Sequence, residues 1–249
     1  MKREAAVNIV VALFATIVLS VLWTPAATAQ GIDPIAEYSP GYYSPGERAL
    51  LPEFCIDTQD GPYGSPEGGE GLNKSPRARH WVAVMGKDFW NMHHYCRALR
   101  DTARAARATT TQRYRTFLRL RIESDLKYIV ITCAPTMPLM PEVYVRMGDL
   151  RVQLHELSAA FEAYQQARKL KPDYWPAYTR WIDVQINLKL FDEAKALALK
   201  GLAVMPNQPE IVARLDRIEK ARTSAKAAKP TQAPRPNVAS ESASVPRAR

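Results

Sequence analysis

The sequence predicts an all-α protein built around a short helix-turn-helix solenoid, and three observations carry that expectation. Between Pro141 and Gln208 the chain repeats itself with a period of 34 residues: Tyr144 returns as Tyr178, Arg146 as Arg180, Asp149 as Asp183, Leu154 as Leu188, Ala160 as Ala194 and Pro172 as Pro206. A period of that length is one antiparallel helix pair with its turns. Each unit also closes in the same way, with a small residue, Ala167 or Gly201, five positions before a proline. The small residue lets two helices approach and the proline ends the second of them. Outside the repeat, apolar residues again fall at helical spacing, from Gln112 to about Cys133 and from Pro209 to about Ala221.

Read from its beginning, the chain opens with Lys2 and Arg3, an apolar run from Ala5 to Trp23, and Ala27-Thr28-Ala29. A positive start, an apolar middle and a small-x-small ending form a secretory signal peptide over residues 1–29, cleaved after Ala29. The alternative is a retained N-terminal membrane anchor, because the run approaches the ~20 residues that span a bilayer. Either reading places the rest outside the cytoplasm, with the periplasm as the expected compartment. The net charge of +9 and pI near 9.5 then point away from nucleic acid and towards acidic lipid or protein surfaces. Much of the excess sits in the tail, where Arg222, Lys226, Lys229, Arg235, Arg247 and Arg249 face Glu241 alone.

Residues 30–74 are rich in Pro and Gly and echo themselves in Tyr38-Ser39-Pro40-Gly41 and Tyr43-Ser44-Pro45-Gly46. The expectation is an extended segment with isolated turns, partly pinned to the helices by Leu50, Leu51, Phe54 and Ile56. Gly68-Gly69-Glu70-Gly71 lacks the Lys-Ser/Thr and the flanking strand of a phosphate loop. A helical domain follows over residues 75–221. Its first part, 75–140, starts near Ser75 with Pro76 in the first turn and Trp81, Val84 and Met85 on one face; Gly86 breaks the run. Asp88 is placed to cap a helix running towards Ala108, and Thr109, Thr110 and Thr111 mark the next corner. The helix from Gln112 directs Tyr114, Phe117, Leu118, Ile122, Leu126, Ile129 and Val130 inward. Cys133 and Pro138 stand 34 before Ala167 and Pro172, which makes 75–140 an irregular or degenerate first unit. Units 141–174 and 175–208 come next, and 209–221 forms a capping helix with Ile211, Val212, Leu215 and Ile218 inward. The tail, 222–249, holds no large apolar cluster and is expected to be disordered.

Reactive side chains concentrate in Trp90, Met92, His93, His94 and Cys96. His93, His94 and Cys96 offer a metal- or haem-handling reading, but zinc-site spacing and a haem-attachment motif are both missing. The competing reading is a core stripe of Phe89, Met92, His93 and Cys96. No oxyanion-hole motif or third orienting group accompanies them, so no enzyme and no cofactor is expected. In an exported protein the cysteines have a structural use. Three cysteines allow three single bridges; Cys55 to Cys96 is the expected one, since it fastens the loop to the helices and leaves Cys133 as a small buried residue.

The repeat resembles the tetratricopeptide repeat family. Unit one supplies Tyr144, Gly148, Ala160, Tyr164, Ala167 and Pro172 in the order of that family's pattern; unit two supplies Tyr178, Ala194, Gly201 and Pro206, with Ile182 and Ala198 in place of the glycine and the aromatic. The resemblance covers residues 141–208. It implies a concave groove lined by the first helix of each unit, with Arg146, Asp149, Arg180, Asp183 and Asn187 facing a protein or peptide partner. Arg and Asp three apart on one helix face could instead pair with each other or bridge adjacent units. Tyr174, Trp175 and Trp181 form a second candidate group. The resulting expectation is an exported scaffold that holds or assembles envelope proteins, its basic tail available to acidic membrane or protein surfaces. The alternative is the metal- or haem-handling protein centred on His93, His94 and Cys96.

Overall fold

The computed structural model describes residues 43–58 and 76–227. The leader 1–29, residues 30–42 and 59–75, and residues 228–249 of the tail lie outside the described residues. The chain divides at Pro45–Gly46, and the architecture from Gly46 onward is one unit. It is all-α: among the described residues there is no strand. In order come α1 (Pro45–Leu50), a 3-10 turn (Glu53–Asp57), α2 (Pro76–Met85), a second 3-10 turn (Gly86–Asn91), α3 (Met92–Ala106), α4 (Gln112–Thr132), α5 (Met140–Gln153), α6 (Leu157–Leu170), α7 (Trp175–Asn187), α8 (Phe191–Val204) and α9 (Pro209–Ala227). Consecutive helices pack on one another, α3 on α4, α5 on α6, α7 on α8, with α9 against both α7 and α8. Among the described residues no helix is long and apolar enough to cross a membrane.

The 34-residue period survives in the backbone. α5 and α7 end at Gln153 and Asn187, α6 and α8 start at Leu157 and Phe191, and the turns between them have the same hydrogen bonds. His155 N–H donates to the Val152 carbonyl and Glu156 N–H to that of Arg151; 34 residues on, Lys189 donates to Ile186 and Leu190 to Gln185. This is the Schellman closure of a helix, and it requires a left-handed residue, supplied by His155 and Lys189, each at φ 61°. The structure is that of a helical repeat.

The core is a chain of three clusters rather than one centre. Phe54, Met92, Leu126 and Val143 belong to the first, Val145, Tyr164 and Ala177 to the second, and Tyr178, Ile182 and Ile211 to the third. Tyr144 packs against both the first and the second, and Trp181 against both the second and the third. Each helix pair therefore depends on its neighbours for burial, as in quasi-one-dimensional folds. The departures of unit two from unit one are compensated in volume. In unit one Gly148 lies under the Tyr164 ring, where an added Cβ would stand 2.4 Å from Cε1. In unit two the large residue has moved to the first helix and the small one to the second: Ile182 and Ala198, both fully buried in the same cluster. The exchange keeps core volume, which is the constraint that packing imposes.

Several expectations are corrected. The described part of the Pro/Gly-rich stretch is not simply extended, for it folds into α1 and the first 3-10 turn; Phe54 and Cys55 are buried there, whereas Leu50 is exposed. Asp88 does not cap a helix. It is buried in the second 3-10 turn and accepts a 2.9 Å bond from the Ala134 N–H, tying the start of α3 to the end of α4. Gly86, at φ +67°, makes the break before it. The residue ending α4 in the way Ala167 and Gly201 end α6 and α8 is Ile129, whose carbonyl receives the C-cap N–H; Cys133 is that cap itself. The first unit is thus out of register, because its connection to α5 is longer than the four residues between α6 and α7. α9 continues past Ala221 to Ala227, with Arg222 paired to Asp192, so the tail does not begin at 222. On α4, Phe117 is more exposed than its inward placement required, while Leu118, Ile122, Leu126 and Ile129 are buried.

Gly148→Ala is expected to cost about 1–3 kcal/mol through overpacking against Tyr164. In a Tyr164→Ala background the same change should cost almost nothing, a coupling that urea denaturation of the four-member cycle reads directly.

Candidate functional site

Two clefts meet on the side of the molecule formed by the first helices of the pairs. One, of about 350 Å³, lies between α5, α7 and α9 and is lined by Arg146, Asp149, Tyr174, Trp175, Arg180 and Arg214, among others. The second, of about 570 Å³, lies between α1, α3 and α5, with Leu50, Leu51, Leu99 and Ala103 along it. Glu142 and Arg146 line both, so the two clefts are neighbours on one face and share the wall that this ion pair forms.

The groove's N-terminal wall is held in three ways. The sulfurs of Cys55 and Cys96 are bonded, 41 residues apart in sequence, and Cys133 is free and buried, as the sequence led us to expect. On one side of that bridge Glu47, itself buried, accepts two bonds from Arg104 at 2.7 and 2.8 Å and one from Arg107 at 2.5 Å. On the other, the fully buried Asp57 accepts from Arg77 Nε at 2.9 Å and from the Trp81 indole N–H at 2.9 Å. A buried carboxylate is tolerated only with such partners. These pairs have no periodic signature in the sequence.

Arg146, Asp149 and Arg180 come together as expected, but not as same-helix pairs. Arg146 donates at 3.0 Å to Glu142, one turn earlier, because a long helical side chain reaches towards its own N-terminus. The short Asp149 accepts instead from the Tyr164 hydroxyl at 2.8 Å and lies 3.7 Å from Arg180 of the next unit. Asp183 repeats the arrangement one unit on: it accepts from Arg214 at 3.0 and 3.2 Å and from Arg217 at 2.7 Å. Asp149–Arg180 and Asp183–Arg214 are thus the same bridge translated by 34 residues. Burial holds the Asp149 carboxyl above the ordinary carboxylate range, against the pull of Arg180. Burial and the Glu142 charge push the Tyr174 hydroxyl up to about 12, so it stays a donor.

Asn187 stands apart from this group. It is exposed and lines a separate recess with Lys189, Phe191 and Ser224. Trp181 is also no groove residue, since it stacks on Phe161 at 5.4 Å and on Tyr164 at 6.5 Å inside the seam between units, with the Arg168 guanidinium 5.6 Å above it. Tyr174 and Trp175 do line the groove. Sequence reading missed Glu142, Glu210 and Arg214, although the signal was present: Arg214 stands 34 after Arg180, and Glu210 stands 68 after Glu142. With Arg146, Arg180 and Arg214 opposed by Glu142, Asp149 and Glu210, the smaller cleft is internally balanced in charge.

The His93 and His94 rings lie 4.2 Å apart, but each of the three candidate groups is engaged elsewhere. Cys96 has no thiolate to offer, His93 Nδ1 lies 2.9 Å from the Trp90 carbonyl oxygen, and His94 Nδ1 lies 2.6 Å from Asp125 with its ring stacked on Tyr128 at 3.8 Å. Among the described residues no group of three or more His, Cys, Asp or Glu is placed to hold a metal ion. No protein-family model, no curated protein and no solved structure matches this chain.

His93 is buried, and burial followed by the neighbouring His94 lowers its pKa to about 4. The unfolded chain therefore takes up a proton that the folded one refuses, and stability is lost as pH falls from about 6.5 towards 4. Over that window the wild type should lose on the order of 3 kcal/mol more than His93→Gln, measured by urea denaturation at each pH.

Proposed function

We propose that this is an exported scaffold of the tetratricopeptide repeat type that binds a protein partner along the groove running from Leu50 and Leu99 to Trp175 and Arg214. The observation that carries the reading is the adjacency of the two clefts, which share Glu142 and Arg146 on the face of the first helices. Because the charges of the smaller cleft already balance, they contribute register and selectivity more than affinity. Affinity would come from apolar contact with Leu50, Leu99, Ala103, Tyr174 and Trp175, the first and last of which are exposed. A segment of the partner carrying an apolar stretch followed by alternating charges fits this lining, whether it lies there as a strand or a helix.

Export is supported by the form of residues 1–29 and by the Cys55–Cys96 bridge, a bond that persists in oxidising compartments. The periplasm is the compartment we assign on those grounds, with the basic tail available to acidic surfaces. The bridge also weighs against metal or haem handling, since it takes Cys96 out of the ligand set.

A photo-crosslinking residue placed at Ala103 or at Trp175, in cells that express the protein, should capture the same partner, and Arg146→Glu with Arg180→Glu should reduce that capture at least tenfold. The same residue at Lys220, on the outer side of α9, should not capture it. Capture from Lys220 alone, or capture at Ala103 unaffected by the double charge reversal, would remove the groove from the binding surface.

A further inference from the structure

One face of α4 remains apolar and outward. Leu120 is 63% exposed, Ile131 81%, Phe117 41% and Tyr128 40%. Phe117 is flanked by Tyr114 and Arg121 and Tyr128 stacks on His94, so those two rings are fixed in place at the edge of the stripe. The four residues fall at helical spacing along one side and are arranged symmetrically about Ser124, which is small and exposed: Leu120 and Tyr128 stand four residues to either side of it, Phe117 and Ile131 seven. The buried residues Leu118, Ile122, Leu126 and Ile129 occupy the opposite side.

Apolar positions spaced alike on either side of a small residue let apolar meet apolar in an isologous contact between two antiparallel copies. We propose that this face of α4 is a homodimer interface, with the two-fold axis passing through Ser124 and its counterpart. Across the axis Leu120 then meets the second copy's Tyr128 and Phe117 its Ile131, while the facing serines permit the close helix approach that small residues allow. The four apolar side chains present roughly 400 Å² per protomer, already the size of a functional patch. Doubled, the contact buries roughly 800 Å² in total, the size of a weak, transient interface rather than a permanent one. A reversible dimer in the micromolar range is the consequence. The groove of the proposed function lies on α1, α3, α5, α7 and α9, so dimerisation leaves it open and would present two grooves to a partner.

Sedimentation equilibrium of the purified protein should show a concentration-dependent rise from the monomer mass towards twice that value up to about 100 µM, and Leu120→Glu should abolish the rise. A second variant tests the geometry separately. Ser124→Cys, at the axis, should form a covalent dimer under mild oxidation, whereas Thr116→Cys should not, because an antiparallel arrangement holds its two copies about 24 Å apart. A protein that stays monomeric throughout, a dimer untouched by Leu120→Glu, or efficient crosslinking at Thr116→Cys would each overturn the proposal.

Discussion

The bond between Cys55 and Cys96 is the constraint on which the N-terminal half of the groove depends. The segment it holds is short, rich in proline and supplied with few apolar residues, and Phe54 with Cys55 is the main part of it that enters the core. Such a segment does not bury enough surface to offset the entropy of ordering it. The covalent link lowers the entropy of the unfolded chain instead, by about 3 to 4 kcal/mol for a loop of this length. Once the bridge is made, Glu47 and Asp57 fall beside Arg104 and Arg77, and each buried carboxylate is satisfied at little further cost in chain entropy. The wall formed by Glu47, Leu50, Leu51 and Pro52 follows from these three ties together.

From α5 onward a different rule governs. Each helix pair is completed by the next, through Tyr144 and Trp181 in the core and through the Asp149–Arg180 and Asp183–Arg214 bridges at the surface. The bridges are partly solvated and contribute little to stability individually, about 0–1 kcal/mol. Their spacing matters more, since it places an arginine of each element beside an aspartate of the unit before it along the groove face. The exchange of Gly148 and Tyr164 for Ile182 and Ala198 shows that one backbone arrangement accepts either distribution of bulk, provided the sum is kept.

What was legible in the sequence was whatever repeats or obeys a short-range rule. The 34-residue period predicted two equivalent helix pairs and, through Pro172 and Pro206, where α6 and α8 stop, and Arg146, Asp149 and Arg180 proved to share one cleft. The bridge between Cys55 and Cys96 was one of three that the cysteines allowed, preferred because it fastens the loop to the helices. Glu47 and Asp57 were not legible, because their partners lie 57 and 20 residues away with nothing periodic between them. Asp88 was misread since an acidic residue before a helix looks like a cap whether it faces its own helix or, as here, the Ala134 amide. On α4 the inward side was read correctly through Leu118, Ile122, Leu126 and Ile129, but Phe117 was assigned to it wrongly, because the helix also carries apolar residues on its outer side. The Asn187 placement failed for a related reason, the period fixing its position along α7 but not how far the cleft extends beyond Arg180.

The central claim is that the N-terminal segment is a separately fastened wall laid against a self-supporting repeat. Hydrogen exchange followed by mass spectrometry, comparing the wild type with Cys55→Ser/Cys96→Ser, tests it most directly. The account predicts that amides in 45–58 and in α2 lose protection while those of α5 to α9 keep theirs. Protection retained throughout 45–58, or lost across α5 to α9 along with it, would contradict the account.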